Sequence, residues 1–274
     1  MPPGRLYVVS TPIGNLGDFS PRAVETLQHV ALVLAEDTRH SRILLRHYGI
    51  TTPVESHHEH NEASTTPALV ERLRAGDDIA LISDAGTPLL SDPGERLVRA
   101  AIAAGVTIVP IPGASALLAA LVVSGFDTER FTFFGFLPRR GRARETAIAE
   151  IRALRHVAVV YEAPQRLVAT LDELAEALGD ERHIIAAREL TKQFEDVRRG
   201  TAGEVARYYR DVPPKGEIVV VVDGARPAPL DEAALRERAR ALLAAGTSPR
   251  DVARTLIVEH GVPRNVAYRM AQDA

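Results

Sequence analysis

The chain contains no cysteine, which excludes a disulfide framework, thiol catalysis and cysteine-ligated zinc. Lysine is almost absent as well: of 33 basic residues only Lys192 and Lys215 are lysine, and the rest are arginine. Where arginine serves as the general surface cation, a retained lysine points to a need for a compact ammonium, although chance survival explains it equally well. No long apolar run is present. The longest, residues 114–123 with one serine, is too short for a bilayer, and the opening MPPGRLYVVS has neither a charged n-region nor an apolar h-region. A cytoplasmic protein with no membrane partner is therefore expected. The net charge of −3 shows no general basic excess of the kind common in nucleic-acid binders, which leaves room for a local basic face only. Neither G-x-G-x-x-G nor the Walker phosphate loop occurs, so NAD and ATP binding have no support.

What the sequence does contain is ordinary globular material: 274 residues, 46% hydrophobic and 25% charged, enough for two domains and a small appendage. The chain is organised around residues 79–94, IALISDAGTPLLSDPG. A buried apolar strand, 79–82, runs into a loop of small residues before a helix begins. In an open α/β sheet ligands bind at the carboxyl ends of strands, and here Asp84 adds a fixed negative charge. That combination suits a polar, cation-bearing small molecule better than a phosphate.

Comparable units flank it. Strand 6–10 ends in the glycine turn TPIGNLGD, and Ser20-Pro21 caps the next helix. Strand 30–35 delivers Glu36, Asp37, Thr38, Arg39 and His40 to the same sheet edge, where Asp37 and Arg39 either orient a substrate or pair with each other. The run ESHHEHNE at 55–62 has the look of a metal site, but three imidazoles in four residues do not face one point on either regular element. A polar loop that shapes the cleft or meets a phosphate is the preferred reading, with no metal expected. Thr66-Pro67 reads as the cap of the following helix. Strand 106–111 and the turn Pro112-Gly113-Ala114-Ser115 complete the first run of βα units.

Past Gly125 the texture changes. An aromatic strand, 131–136, precedes a loop carrying Arg139, Arg140, Arg142 and Arg144, the most basic spot in the chain. It reads either as a set of RNA phosphate contacts or as a solvated loop. Strands 157–161, 184–187 and 218–222 alternate with helices, and hairpin-like spacing points to a mixed sheet. Thr201–Glu204 is a capping box. Residues 224–229 form a Pro/Ala linker to helices at 231–245, 249–260 and 263–271. The last two resemble a helix-turn-helix in which Arg264, Asn265, Tyr268 and Arg269 face nucleic acid, or else a packing element.

The segments STPIGNLGD, AEDTR, HEHNE, SDAGTPLLSDPG, PIPGASA, GFLPR, YEAPQRL, ARELTKQFE and KGE occur in that order along most of the chain. Together they resemble the small-subunit ribosomal RNA methyltransferase branch of the tetrapyrrole methylase superfamily. The resemblance implies an α/β fold of two domains, 1–112 and 113–225, with S-adenosyl-L-methionine in the cleft between them and a helical appendage at 230–274. It also implies a homodimer that methylates the ribose 2′-oxygen of a cytidine in the decoding region of small-subunit rRNA, free or in the assembled subunit. Carried over by motif, the cofactor-binding residues are Pro12, Gly14, Asp84, Ala85, Gly86, Pro112, Gly113, Ala114, Ser115, Tyr161, Ala187 and Gly216. Relatives acting on tetrapyrroles carry a G-x-G-x-G-D first loop, and Thr11-Pro12-Ile13-Gly14 departs from it.

Methyl transfer to a ribose hydroxyl needs in-line alignment and a base, or a cation that stabilises the developing alkoxide. Lys192 and Glu162 are the candidates, with Glu189 and Arg188 beside the lysine; a phosphate clamp is the other reading of Lys192. Arg39, Arg139, Arg140, Arg142, Arg144 and Arg188 are the expected RNA contacts. Two rival functions remain: a methyltransferase for a tetrapyrrole or other small molecule, and a non-catalytic RNA-binding assembly module.

Overall fold

The computed structural model describes residues 2–179, 182–225 and 232–273. Residues 1–223 form one compact unit and residues 224–274 a second. The first unit contains two five-stranded sheets.

In the first sheet β1 (Arg5–Val9), β2 (Leu32–Ala35), β3 (Val54–Ser56), β4 (Ile79–Ile82) and β5 (Thr107–Ile111) lie in the order β3-β2-β4-β1-β5, and every neighbouring pair is parallel. The strands β2 and β4, reading LVLA and IALI, are buried at every position because helices cover both faces. On one side α1 (Pro21–His29) and α2 (Thr38–His47) bring Leu27, Leu44 and Leu45 onto Val33 and Ala80. On the other, α3 (Glu62–Ala75) and α4 (Glu95–Ala103) bring Leu69, Leu73 and Leu97 onto Leu32, Leu34 and Leu81. With all strands parallel, the loops after β1, β2, β4 and β5 converge on one edge.

Two expectations shift here. The second strand begins at Leu32, because the Val30 amide still closes α1 on Thr26 O. The third helix begins at Glu62, with Pro67 inside it. Asn61 O accepts the amides of Ser64 and Thr65, which starts the turn upstream of the proline, and the ring then removes only one intrahelical bond.

The second sheet has β6 (Phe131–Phe136), β7 (Val157–Glu162), β8 (His183–Arg188), β9 (Asp196–Thr201) and β10 (Ile218–Val222) in the order β6-β7-β10-β8-β9. It is mixed: β6 and β7 run parallel, and the other pairs antiparallel. One face carries α5 (Ala116–Ser124), through Leu117 and Leu121. The other carries α6 (Arg142–Ala153), α7 (Pro164–Leu178) and α8 (Ala202–Asp211), through Ile151, Leu171 and Val205. The capping box of Thr201 and Glu204 opens α8. Ile13, on the loop after β1, is 6% exposed and belongs to the core under α5. A loop of the first sheet is thereby fixed onto the second.

In the carboxy-terminal unit, α9 (Glu232–Ala244), α10 (Pro249–His260) and α11 (Arg264–Asp273) enclose a core of Ala239, Val252, Leu256, Ala267 and Met270. Ser248 caps α10, and Gly261 ends it in a left-handed conformation. Arg264 stands over the Tyr268 ring at 5.7 Å. The latter part of the expected linker, residues 226–229, and the expected helix start at Asp231 lie outside the described residues. No helix among the described residues is long and apolar enough to cross a membrane.

Candidate active site

The loop after β4 is held in one shape by paired polar groups. Thr11 N donates to Gly86 O at 2.8 Å and Gly86 N to Thr11 O at 3.1 Å. The buried hydroxyls of Thr11 and Ser83 donate to Ser83 O and Gly86 O at 3.1 and 3.0 Å. Ser10 and Thr87 hydroxyls meet at 3.0 Å. A buried loop whose polar groups are satisfied in this way keeps its backbone groups at fixed positions.

Above it lies a cavity of about 350 Å³, within the usual range for small-molecule sites. The first sheet supplies Ile13, the segment 84–87 and the turn Leu90-Ser91-Asp92; α5 supplies Ser115 and Ala116. The second sheet supplies Phe136, the segment 161–164, Ala187, Leu190 and the segment 216–219. Of the residues anticipated for the cofactor, Asp84, Ala85, Gly86, Ser115, Tyr161, Ala187 and Gly216 line this cavity. Pro12, Gly14, Pro112, Gly113 and Ala114 do not. Ala114 O accepts the Thr87 hydroxyl at 3.3 Å, Gly113 lies against Ser10 and Gly14 against Lys192.

Sequence reasoning missed Asp92. Its carboxyl is pushed up to about 7, first by burial and then by the nearby carboxylates Glu36 and Asp84. Glu36 is raised for the same reasons, burial and then Asp84. Asp84 Oδ1 accepts the Asp37 amide at 3.1 Å. The turn bearing Asp92 is strained, with Leu89 at φ 72° and Ser91 at φ 69°. A carboxyl near neutrality in a cavity wall can exchange a proton with a bound hydroxyl.

Lys192 and Glu189 stand apart from the cavity lining. Lys192 Nζ lies 2.9 Å from Glu189 Oε1 and 2.9 Å from Glu217 Oε2. Burial alone would lower the ammonium, but the two carboxylates outweigh it and raise its pKa. Burial alone would likewise raise Glu189; the Lys192 ammonium and the Glu217 amide outweigh it and hold the carboxyl below its usual range. The two carboxylates favour the charged form of the lysine, the form that steadies a developing alkoxide or clamps a phosphate. Glycines make room for the bridge: a Cβ at Gly216 would fall 2.2 Å from Glu189 Cδ.

Residues 5–206 match the family Tetrapyrrole (Corrin/Porphyrin) Methylases. Ribosomal RNA small subunit methyltransferase I of Synechocystis sp. is 47% identical over 98% of this chain and 97% of its own length. The chain belongs to the ribosomal RNA small subunit methyltransferase I family of tetrapyrrole methylases. Among solved structures, diphthine synthase superposes with a TM-score of 0.64 at 16% identity, covering 81% of this chain and 90% of its own. Uroporphyrin-III C-methyl transferase from Thermus thermophilus, complexed with S-adenyl homocysteine, gives 0.57 at 19% identity, covering 80% and 97%. At those identities the likeness is one of fold.

Glu162, expected as a base in this family member, is occupied elsewhere. Its side chain is fully buried and accepts from the Ala163 amide at 2.9 Å and the Thr170 hydroxyl at 2.6 Å, while pairing with Arg166 at 3.1 Å. Glu162 is on the cavity lining, and these partners commit its carboxylate to the start of α7. The expectation for Arg144 is corrected. It is 6% exposed and spends its guanidinium on Glu173 at 2.7 Å, Thr170 at 2.8 Å and Pro138 O at 3.0 Å, so no face remains for RNA. Arg139, Arg140 and Arg142 are exposed.

Arg39 is exposed and paired with Asp37 at 3.1 Å, which holds that carboxyl down to about 2. Arg188 reaches Lys215 O at 3.5 Å on the rim. Of the histidine run, His57 packs against the first turns of α3. His57 is buried, with Nδ1 3.1 Å from the Thr65 hydroxyl and Nε2 3.9 Å from Glu62, and Glu62 in turn accepts the Arg96 and Leu97 amides that open α4. Among the described residues no group of three His, Asp or Glu is placed to hold a metal.

Proposed function

We propose that this chain transfers a methyl group from S-adenosyl-L-methionine to the 2′-oxygen of a cytidine ribose in the decoding region of small-subunit (16S) rRNA. The reading is carried by one cavity that joins a rigid small-residue loop, the Asp92 carboxyl and the foot of an exposed arginine loop, in a chain 47% identical to a named rRNA methyltransferase. The cavity suits the cofactor. Apolar walls from Ile13, Leu90 and Leu190 fit an adenine, and Asp84 and Glu217 on the lining oppose a sulfonium charge.

When bound, the cofactor supplies a methyl carbon activated by its sulfonium. The chain's own residues do the rest. The stiff 83–87 loop orients the ligand, and the apolar walls keep water from competing for the methyl group. Asp92 takes the proton from the ribose hydroxyl; with its carboxyl near neutrality it is a stronger base than an ordinary aspartate and is still largely ionised above pH 7. The charged Lys192 joins the loop after β8 to Glu217 through its two carboxylate partners.

The same reading includes a cytoplasmic homodimer, since its substrate resides in the cytoplasm and α5 leaves Leu118 and Val122 53% and 81% exposed. Sedimentation at micromolar concentration tests the dimer. The activity is tested by methyl transfer from labelled S-adenosyl-L-methionine to small subunits lacking the modification, followed by mass spectrometry of the digested nucleosides. Label in 2′-O-methylcytidine is the expected result. Label on a base would overturn the ribose assignment, and no label in subunits or naked rRNA would overturn the RNA substrate.

A further inference from the structure

Beside the cavity, with Phe136 as a common wall, lies a second and more open concavity of about 620 Å³. Its surface is made by the segment 136–139 together with Ala163, Gln165 and Arg166. Nothing in the methyl-transfer site accounts for it.

The wall is held from beneath by paired charges, of which Arg144 and Glu162 are buried. Leu137 O accepts from Arg166 at 2.7 Å and Pro138 O from Arg144 at 3.0 Å, so two successive carbonyls of one loop are each fixed by a guanidinium. Arg166 and Arg144 are anchored in turn by Glu162, Thr170 and Glu173, and the Thr170 hydroxyl donates to Glu162. Burying ions under a surface loop costs stability unless every member is paired. A loop that needed only to be wet would not require such a foundation. What the foundation fixes is a display of three exposed groups. The Phe136 ring is 54% exposed and suits base stacking. Gln165, exposed at the start of α7, offers an amide donor and acceptor to a base edge. Arg139 presents an exposed guanidinium fork to a phosphate.

We propose that this concavity is a subsite for the nucleotide next to the methylated one, unstacked from the RNA, with its base on Phe136, its base edge read by Gln165 and its phosphate on Arg139. The assignment rests on the RNA reading above. Phe136 borders both concavities, so a single-stranded RNA with its target ribose in one has the adjoining nucleotide in the other. RNA specificity rests on such splayed, stacked bases.

The test uses the full-length enzyme with unmodified small subunits, wild type and with each base substituted at the positions flanking the target. The wild-type enzyme discriminates among flanking bases. Gln165→Ala raises KM for wild-type subunits about tenfold and removes the discrimination at one flanking position, with kcat within about twofold and unchanged calorimetric affinity for S-adenosyl-L-methionine. Arg139→Ala raises KM equally for all subunits. Phe136→Leu raises KM and Phe136→Tyr restores it. Retained flanking-base discrimination in Gln165→Ala, or a loss of cofactor affinity in that variant, overturns the subsite while leaving the methylation reading intact. Failure of the wild-type enzyme to methylate any RNA overturns both.

Discussion

Lys192 crosses the backbone of Gly14 so closely that a Cβ at residue 14 would stand 2.4 Å from both Cε and Cγ of the lysine. The glycine is on the loop after β1 and the lysine beyond β8, so this contact, like the burial of Ile13, joins the two sheets at the rim of the cavity. It accounts for Gly14 and Lys192 together: one has no side chain because the other passes over it.

Gly14→Ala therefore has two costs. The backbone sits at φ 139°, a conformation a Cβ strains by about 1–3 kcal/mol, and the lysine must move off its carboxylates. We expect urea unfolding to show a loss of about 2–3 kcal/mol. Adding Lys192→Ala relieves the collision and leaves the strain, so the double variant loses less than the sum of the singles. Simple additivity would mean that the lysine does not rest on the glycine in solution.

Asp92 sets the second expectation, and its sign is opposite to that of most aspartates. Its folded pKa is raised from 3.8 to about 7, so the stability it contributes is complete below its unfolded value of 3.8 and is lost as pH rises through about 7. Asp92→Asn removes the titration, and the variant gains thermal stability over the wild type on going from pH 5 to pH 8. Activity moves the other way. Wild-type kcat/KM rises with pH through about 7 as the carboxylate forms; the variant is slower by about 10²–10⁴-fold and flat over that range. A variant that keeps the wild-type pH profile would remove Asp92 from the proton transfer.

How much of this could be read from the sequence divides along a physical line. Apolar strands ending in glycine turns announce themselves, and so do local caps: α10 spans Pro249–His260 as its Ser-Pro start and Gly stop require, and Thr201–Glu204 is the box its spacing predicts. The strands β3 and β9 escaped because VES is only three residues long and DVRRGT carries charge in place of an apolar run. Asp92 escaped for a different reason. Its perturbation comes first from burial and then from Glu36 and Asp84, which stand at the ends of the neighbouring strands β2 and β4, and neither burial nor strand order is written in local pattern. Arg144 looked like its three exposed neighbours; only the fold shows that it faces Thr170 and Glu173.

Glu162 offers a direct separation of structure from catalysis. Glu162→Gln leaves Arg166 half-buried and without its carboxylate, and we expect about 3 kcal/mol of destabilisation, the low end for breaking a buried pair because Arg166 keeps some solvent. At a temperature where the variant is folded, kcat with saturating subunits changes by less than about threefold, far below the effect of losing a general base. A drop in kcat of a hundredfold with unaltered stability would return Glu162 to the catalytic role its sequence position invited.

The arginine loop divides by burial in a way that salt can reveal. Arg139, Arg140 and Arg142 are exposed, and each phosphate they neutralise releases a counterion, so replacing one by alanine lowers the slope of log KM for subunits against log salt by about 0.7. Arg144 neutralises no phosphate: it is 6% exposed and bound to Glu173, Thr170 and Pro138 O. Arg144→Met leaves that slope at the wild-type value while lowering the unfolding midpoint, because Glu173 and the Pro138 carbonyl lose their donor. Equal slopes for all four variants would mean that the loop is solvated and that the RNA contacts lie elsewhere on the chain.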